Sequence, residues 1–344
     1  MSRYAAVHQN PQGAGDSRPT ALQIVEDEGL VGKLTDKVIF VTGANQGLGL
    51  ETARALHATG ATVYLGVRDL TRGQKAIDDI KATNSDSKGA LHLIEISLDS
   101  LSSVRKAAED FLAKSKQLNI LLNNAGVMSK TKEKTVDGFE KNFGTNHLGH
   151  FLLFQLLKPA LLASSTPEFH SRVVAVSSQV HRVSEIRFDD YNLDNVVYDQ
   201  MLAYGQSKTA NIYFANEIER RFGGKGLHAF SLHPGTIVTN MSQDAFVTGK
   251  DQLKAMMGEM FEPMMRNMKS APQGAATSVY AALSKDWEGK GGKYLNDCAE
   301  AAAGKPDSPP LSMDNGYATW AYDQEKADRL WKESNKMVGL DESA

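Results

Sequence analysis

A doubly wound α/β fold, one parallel sheet with helices on both faces, follows from three observations on this 344-residue chain. Short apolar runs rich in β-branched residues alternate with helix-length segments, the pattern of repeated strand–helix–strand units. The first run ends in a glycine-rich turn that opens a helix. No internal repeat or Pro/Gly-rich linker divides the chain, so one domain is expected over residues 31–344.

The elements can be justified in order. Lys37–Thr42 is a β-rich apolar run stopped by Gly43, as expected of a buried parallel strand. Leu48–Thr59 has helical character and Gly60 stands where a C-cap is needed. Ala61–Leu65, Leu91–Ile96, Ile120–Leu122, Arg172–Val176 and Leu227–Leu232 read as the next strands. Helices are expected over Thr71–Thr83, Ser102–Ser115, Phe143–Leu162 and Tyr204–Phe222. Residues 1–30, polar and punctuated by Pro11, Gly13, Gly15 and Pro19 over their first two-thirds, are expected to be a disordered tail.

Bulk composition narrows the function. Apolar residues at 41% allow a large core, and a net charge of −3 without any basic block excludes nucleic acid as a partner. No apolar run reaches membrane-spanning length. The single cysteine, Cys298, rules out an internal disulfide and fits a reducing, cytoplasmic setting. No cluster of residues suggests a metal site.

Three motifs carry chemistry. Thr42-Gly43-Ala44-Asn45-Gln46-Gly47-Leu48-Gly49 sits between a strand and its helix. Glycines there let the backbone approach a pyrophosphate, which meets the free N–H groups of the helix start. A residue near the end of the second strand should then select the dinucleotide: an acid for a ribose 2′-hydroxyl, an arginine for a 2′-phosphate. Val67 holds the acid's place and Arg68 follows, which favours NADP(H). Finally, Tyr204 and Lys208 lie four residues apart, on one helical face. By itself such a pair is usually a core ring and a solvated amine. An ammonium held beside a phenol, however, favours the phenolate and lets it exchange a proton with an alcohol or carbonyl oxygen.

With Asn123-Asn124-Ala125-Gly126 between them, these motifs in this order resemble the short-chain dehydrogenase/reductase family over about residues 36–340. Asn146-His-Leu-Gly-His-Phe151, Arg172–Ser178 and His233–Ile237 resemble its retinol dehydrogenase and WW-domain oxidoreductase branch. The resemblance implies a single-domain Rossmann fold and a tetrad of Asn146, Ser178, Tyr204 and Lys208. In it Asn146 holds a relay water, Ser178 orients the substrate oxygen, Tyr204 is the acid/base, and Lys208 lowers the Tyr204 pKa and binds the nicotinamide ribose. It also implies cofactor contacts from Gly43, Asn45, Gln46, Gly47, Leu48, Gly49, Arg68, Asn124, Ala125 and Gly126. Pro234, Gly235, Ile237 and Thr239 would form a loop gripping the carboxamide and a phosphate. One departure stands out. The family's aspartate at the end of the third strand, which binds the adenine amino group, is Ser97 here, followed by Leu98 and Asp99, so a weaker adenine contact is expected.

The resemblance further implies a homodimer or tetramer, with Phe151–Leu162 and Ile212–Ile218 as pairing faces. Seven of the twelve methionines fall between Met241 and Met268, in the segment (about 240–270) that the family uses as a substrate lid. Flexible thioethers adapt to irregular apolar ligands, although they also pack ordinary helices. Together with the insertion Arg182–Asn195, they suggest a hydrophobic ketone or secondary alcohol. The expected activity is NADP(H)-dependent carbonyl reduction. A catalytically silent dinucleotide-binding regulator of the same fold is the alternative, but such chains lose the tyrosine, lysine or serine, and all three are present.

Overall fold

The computed structural model describes residues 2–238, 249–305, 308–309 and 316–341. Seven strands form a parallel sheet: β1 (Val38–Thr42), β2 (Thr62–Val67), β3 (Leu91–Glu95), β4 (Ile120–Asn123), β5 (Ser171–Val176), β6 (Leu227–His233) and β7 (Lys293–Asn296). A short β8 (Ala299–Glu300) pairs antiparallel with β7, giving the order β3-β2-β1-β4-β5-β6-β7-β8. Helices cover both faces, which is why β5 and β6 are buried at every position and read as continuous apolar runs. The strand order reverses between β1 and β4, and a crevice opens at the carboxyl ends of those strands.

One face carries α1 (Ala21–Asp27), α2 (Gly47–Ala58), α3 (Leu70–Thr83) and α11 (Ala276–Leu283), whose Ile24, Leu56, Ile77 and Val279 pack with Val41 and Val63 of the sheet. The other carries α4 (Leu101–Lys114), α6 (Gly149–Ser164), α7 (Gln200–Phe222) and α12 (Gln324–Met337), where Phe111, Phe151, Phe214 and Trp331 pack with Phe40 and Leu121. Shorter helical pieces are α5 (Lys141–Phe143), α8 (Lys250–Met257), α9 (Phe261–Asn267) and α10 (Ala271–Gly274). No described helix is long and apolar enough to cross a membrane.

The expected strands and helices through β6 are all present, and three differences have physical causes. The helix expected over 143–162 is interrupted at its start by a π-helical stretch, Gly144–Leu148, before α6 begins. The helix carrying Tyr204 starts earlier, at Gln200, because the Asp199 carboxylate caps it by accepting from the Leu202 N–H. The third concerns the N-terminal segment, which is not a disordered tail. Thr20 caps α1, whose Ile24 and Val25 are fully buried. Tyr4 packs edge-on against Tyr280 and donates to Asp27 at 2.8 Å. The buried Arg18 donates to the carbonyls of Asn267 (2.9 Å) and Met268 (2.6 Å) and pairs with Asp16. Polar composition concealed these anchors: here the polar groups hold the segment down through directed bonds.

Helix α12, not read in the sequence, buries Ala327, Leu330, Trp331 and Ser334, one face at helical spacing. Trp331 sits 5.0 Å from the Phe151 ring and 6.3 Å from that of Phe214, with the Arg221 guanidinium 4.8 Å from its centroid. The stretches expected to pair between subunits are therefore packed in part against a helix of their own chain. Trp331→Ala should cost about 3–5 kcal/mol of stability, the usual range for emptying a buried aromatic site, read as a lower urea midpoint with the unfolding slope unchanged.

Candidate active site

The crevice begins at a backbone that favours glycine. Gly43 and Gly47 take φ of +67° and +54°. A Cβ on Gly49 would lie 2.2 Å from the Gly43 carbonyl oxygen and 2.5 Å from Asn124 Nδ2. No side chain caps the first turn of α2, so its leading amides remain for a ligand. From here extends a groove of about 720 Å³.

Thr42, the last residue of β1, joins the walls of this groove. Its Oγ1 accepts from the backbone N–H groups of Asn124 (3.0 Å) and Ala125 (3.1 Å). The same oxygen lies 2.8 Å from His150 Nε2, while His150 Nδ1 donates to the Asn146 carbonyl at 3.0 Å. That second bond fixes the tautomer, so Thr42 gives its proton to Nε2. Burial pushes His150 down to about 4, and the ring stays neutral as a strut. Asn124 completes the joint by donating from Nδ2 to the Thr42 carbonyl at 2.9 Å.

The π-helical turn places Asn146 against Val127. Its Oδ1 accepts from Val127 N–H (2.8 Å), and its Nδ2 donates to Val127 O (2.9 Å) and Ser207 Oγ (3.0 Å). Asn146 Oδ1 and Lys208 Nζ both lie 3.4 Å from where a Cβ on Gly126 would stand, so Gly126 lets them converge. Lys208 Nζ donates to Val176 O at 3.0 Å and lies 5.3 Å from the Tyr204 ring centroid. Ser177 Oγ ties α7 to β5 by donating to Lys208 O at 2.8 Å. The Ser178 hydroxyl accepts from Val180 N–H at 3.2 Å and acts on the Tyr204 phenol, lowering its pKa. The Ser178 carbonyl is held by His181 Nδ1 at 2.6 Å, and His181 Nε2 accepts from Ala318 N–H at 3.0 Å. Burial keeps His181 at about 4, also neutral.

The four expected tetrad residues thus converge, but the electrostatics differ from expectation. Burial raises the partly exposed Tyr204 to about 12, and the Ser178 hydrogen bond offsets this only partly. Burial also lowers Lys208 to about 7. Desolvation of both groups outweighs the attraction that would favour a phenolate.

Of the expected cofactor contacts, Gly43, Asn45, Gln46, Gly47, Leu48, Gly49, Arg68, Leu98, Asn124, Ala125 and Gly126 line the groove. Ser97, Tyr204, Lys208, Pro234, Gly235 and Ile237 are not on its wall, although Val238 is, and Thr239 falls outside the described residues. The structure instead brings Ser97 to Asp99: its Oγ donates to Asp99 Oδ1 at 2.5 Å. Lining residues that sequence reasoning missed include Asp99, Met128, Lys141 and Thr145. Asp99 was noticed only as a neighbour of the missing aspartate, and Lys141 lies 42 residues from it, in no motif. Among the described residues no cluster could hold a metal ion. Met241, and the side chains of Met256 and Met257, are not described.

The insertion Arg182–Asn195 is strapped to the tetrad helix, with Gln206 accepting from Arg187 N–H and donating to Tyr191 O, each at 3.0 Å.

Lys208 gives a pH test. Its folded value of about 7 lies below the ordinary 10.5, so between those limits the unfolded chain binds more protons. Its burial therefore costs stability at low pH, and the cost fades as pH rises from 7 to above 10. Lys208→Met should stabilise the cofactor-free protein at pH 6, by up to about 4 kcal/mol, with the gain gone near pH 10.5. Urea titrations at both pH values measure the difference.

Residues 37–249 match the family described as short chain dehydrogenase. The chain is 46% identical to short-chain dehydrogenase/reductase prx1 of Penicillium rubens, over 99% of this chain and 96% of that protein. It is 37% identical to retinol dehydrogenase 12 of Mus musculus, over 90% and 88% of the respective chains. A crystal structure of a protein from Mycobacterium paratuberculosis superposes with a TM-score of 0.64 at 32% identity, covering 89% of this chain and 94% of that one.

Proposed function

The chain belongs to the short-chain dehydrogenase/reductase family, and from that membership we propose an NADP(H)-dependent carbonyl reductase acting on a hydrophobic ketone, or on the corresponding secondary alcohol in reverse. The observation that carries this reading is the convergence of Asn146 and Lys208 on Gly126, with Lys208 beside the Tyr204 ring and Ser178 acting on the Tyr204 phenol. The donor set fits a nicotinamide dinucleotide: open amides at the start of α2 for the pyrophosphate, and Arg68 where β2 ends. Val67 in the acid's place, with Arg68 following it, supports NADP(H) over NAD(H).

When bound, the nicotinamide supplies or accepts the hydride. The chain's own residues handle the oxygen. As negative charge grows on a carbonyl oxygen, Ser178 and Tyr204 donate hydrogen bonds to it and Tyr204 delivers the proton. A phenol held at about 12 is protonated at neutral pH, the form that a proton donor in reduction needs. Lys208 stands beside Tyr204, and Asn146 holds Val127 of the groove wall. His150 and His181, kept neutral by burial, position these groups.

An apolar substrate is supported by Met128 on the groove wall and by the exposed Val238 and Met260. A relative named for retinol, an apolar alcohol, points the same way. The single, buried cysteine supports a reducing, cytoplasmic setting. The cofactor loop Pro234–Thr239 is assigned to carboxamide and phosphate contacts by resemblance.

Absorbance of NADPH and NADH across a panel of hydrophobic ketones tests the reading, with turnover expected chiefly from NADPH. Preferential turnover of small charged sugars or hydroxy acids would sink the substrate class. Tyr204→Phe should lower kcat by at least about a thousandfold, removing proton transfer and one oxygen contact. NADPH affinity should stay within about threefold, and retained turnover refutes the role of Tyr204. Arg68→Leu should weaken NADPH binding by roughly ten- to a hundredfold while leaving NADH binding nearly unchanged, as measured by calorimetry.

A further inference from the structure

Past the glycine turn, the groove runs to the ends of β2 and β3, where Gly66, Val67, Ile96 and Leu98 line it. A Cβ on Gly66 would stand 2.7 Å from the Phe40 ring and 3.1 Å from the Ile96 side chain, so this wall admits no side chain there. With the pyrophosphate at the start of α2, this apolar end receives the base. Asp99 is the single acid among the described lining residues.

Asp99 is built into place. Ser97 Oγ donates to its Oδ1 at 2.5 Å and Lys141 Nζ donates to its Oδ2 at 2.9 Å. Its backbone carbonyl accepts from Val136 N–H at 3.1 Å. The preceding Leu98 carbonyl lies 2.4 Å from where a Cβ on Gly149 would stand, so this segment presses directly onto the start of α6. The side chain nevertheless keeps 21% of its surface open. The Ser97 hydrogen bond and Lys141 hold its carboxyl below the usual range, so it is ionised at neutral pH. Each carboxylate oxygen has a second lone pair, leaving room for one more donor.

We propose that Asp99 accepts a hydrogen bond from the exocyclic amino group of the adenine, and that Ser97 and Lys141 are positioning residues that hold the carboxylate there. The proposal rests on the dinucleotide reading of the groove. Ser97 does not border the groove, and its hydroxyl proton is committed to Asp99. The acceptor has thus moved two residues downstream, and the serine at the strand end serves as its strut. The competing arrangement has Lys141 facing the base, and it would favour a carbonyl at that ring position.

The test compares full-length protein binding NADPH with binding of its hypoxanthine analogue, which carries a 6-oxo group in place of the amino group. Tryptophan fluorescence reads both affinities. The wild type should bind NADPH roughly ten- to a hundredfold more tightly, the value of a hydrogen bond to a charged acceptor. In Asp99→Leu the ratio should fall to within about twofold, mainly through loss of NADPH affinity. In Ser97→Ala it should fall severalfold, with Asp99 in place but no longer held. Because the readout is a ratio within each protein, a general loss of folding does not imitate it, and the wild-type comparison stands without any variant. Equal binding of the two dinucleotides by wild type, or tighter binding of the analogue, overturns the assignment while leaving the dinucleotide reading intact. Binding of neither overturns both.

Discussion

The hydroxyl of Thr42 is the joint on which the rest of the site depends. It lies at the end of β1, beside the reversal of strand order, and it reaches three elements at once. It accepts the amides that turn the chain after β4 and gives its proton to His150, which in turn holds the Asn146 carbonyl. The glycine turn, the Asn124–Gly126 wall and the π-helical stretch are therefore positioned by one oxygen. The same side chain minus its hydroxyl would deprive the Ala125 amide of its acceptor and a buried imidazole nitrogen of its donor, each a desolvation cost, while the Asn124 amide would keep the Leu122 carbonyl at 3.1 Å.

Burial then sets the chemistry. A phenol and an ammonium side by side in water would stabilise each other's charged forms; inside this crevice both lose water, and neutral forms gain. Tyr204 thereby keeps its proton at neutral pH, and Lys208 is brought down to about 7. The histidines around them are pushed so far down that they carry no proton to trade. Their value is geometric: a neutral ring with one donor and one acceptor fixes two hydrogen-bonding groups at known distance.

Much of this was legible in the residues. The glycine spacing after Thr42 demanded a backbone approach, and the structure shows why Gly49 in particular tolerates no side chain. The strands through β6 were readable because burial on both faces leaves unbroken apolar runs. Helix α12 carried an amphipathic signal that lay beyond the last motif, and its effect, covering Phe151 and Phe214, depends on packing between residues far apart. The N-terminal segment was misread because polarity suggests solvent. Arg18 and Gln273 show the opposite case, with buried polar groups bonded across 250 and 257 residues of chain.

The sequence alone determined the sheet, the glycine-rich turn after Thr42, and the identity of the side chains that converge near it, because these depend on local pattern and residue chemistry. Tertiary structure alone decided which protonation states those side chains hold, since desolvation is a property of surroundings. It also decided that Ser97 supports Asp99 instead of facing the groove, and that Lys141 joins them. A hydrogen bond between residues 42 positions apart has no trace in spacing or composition; only the folded chain brings its two ends together.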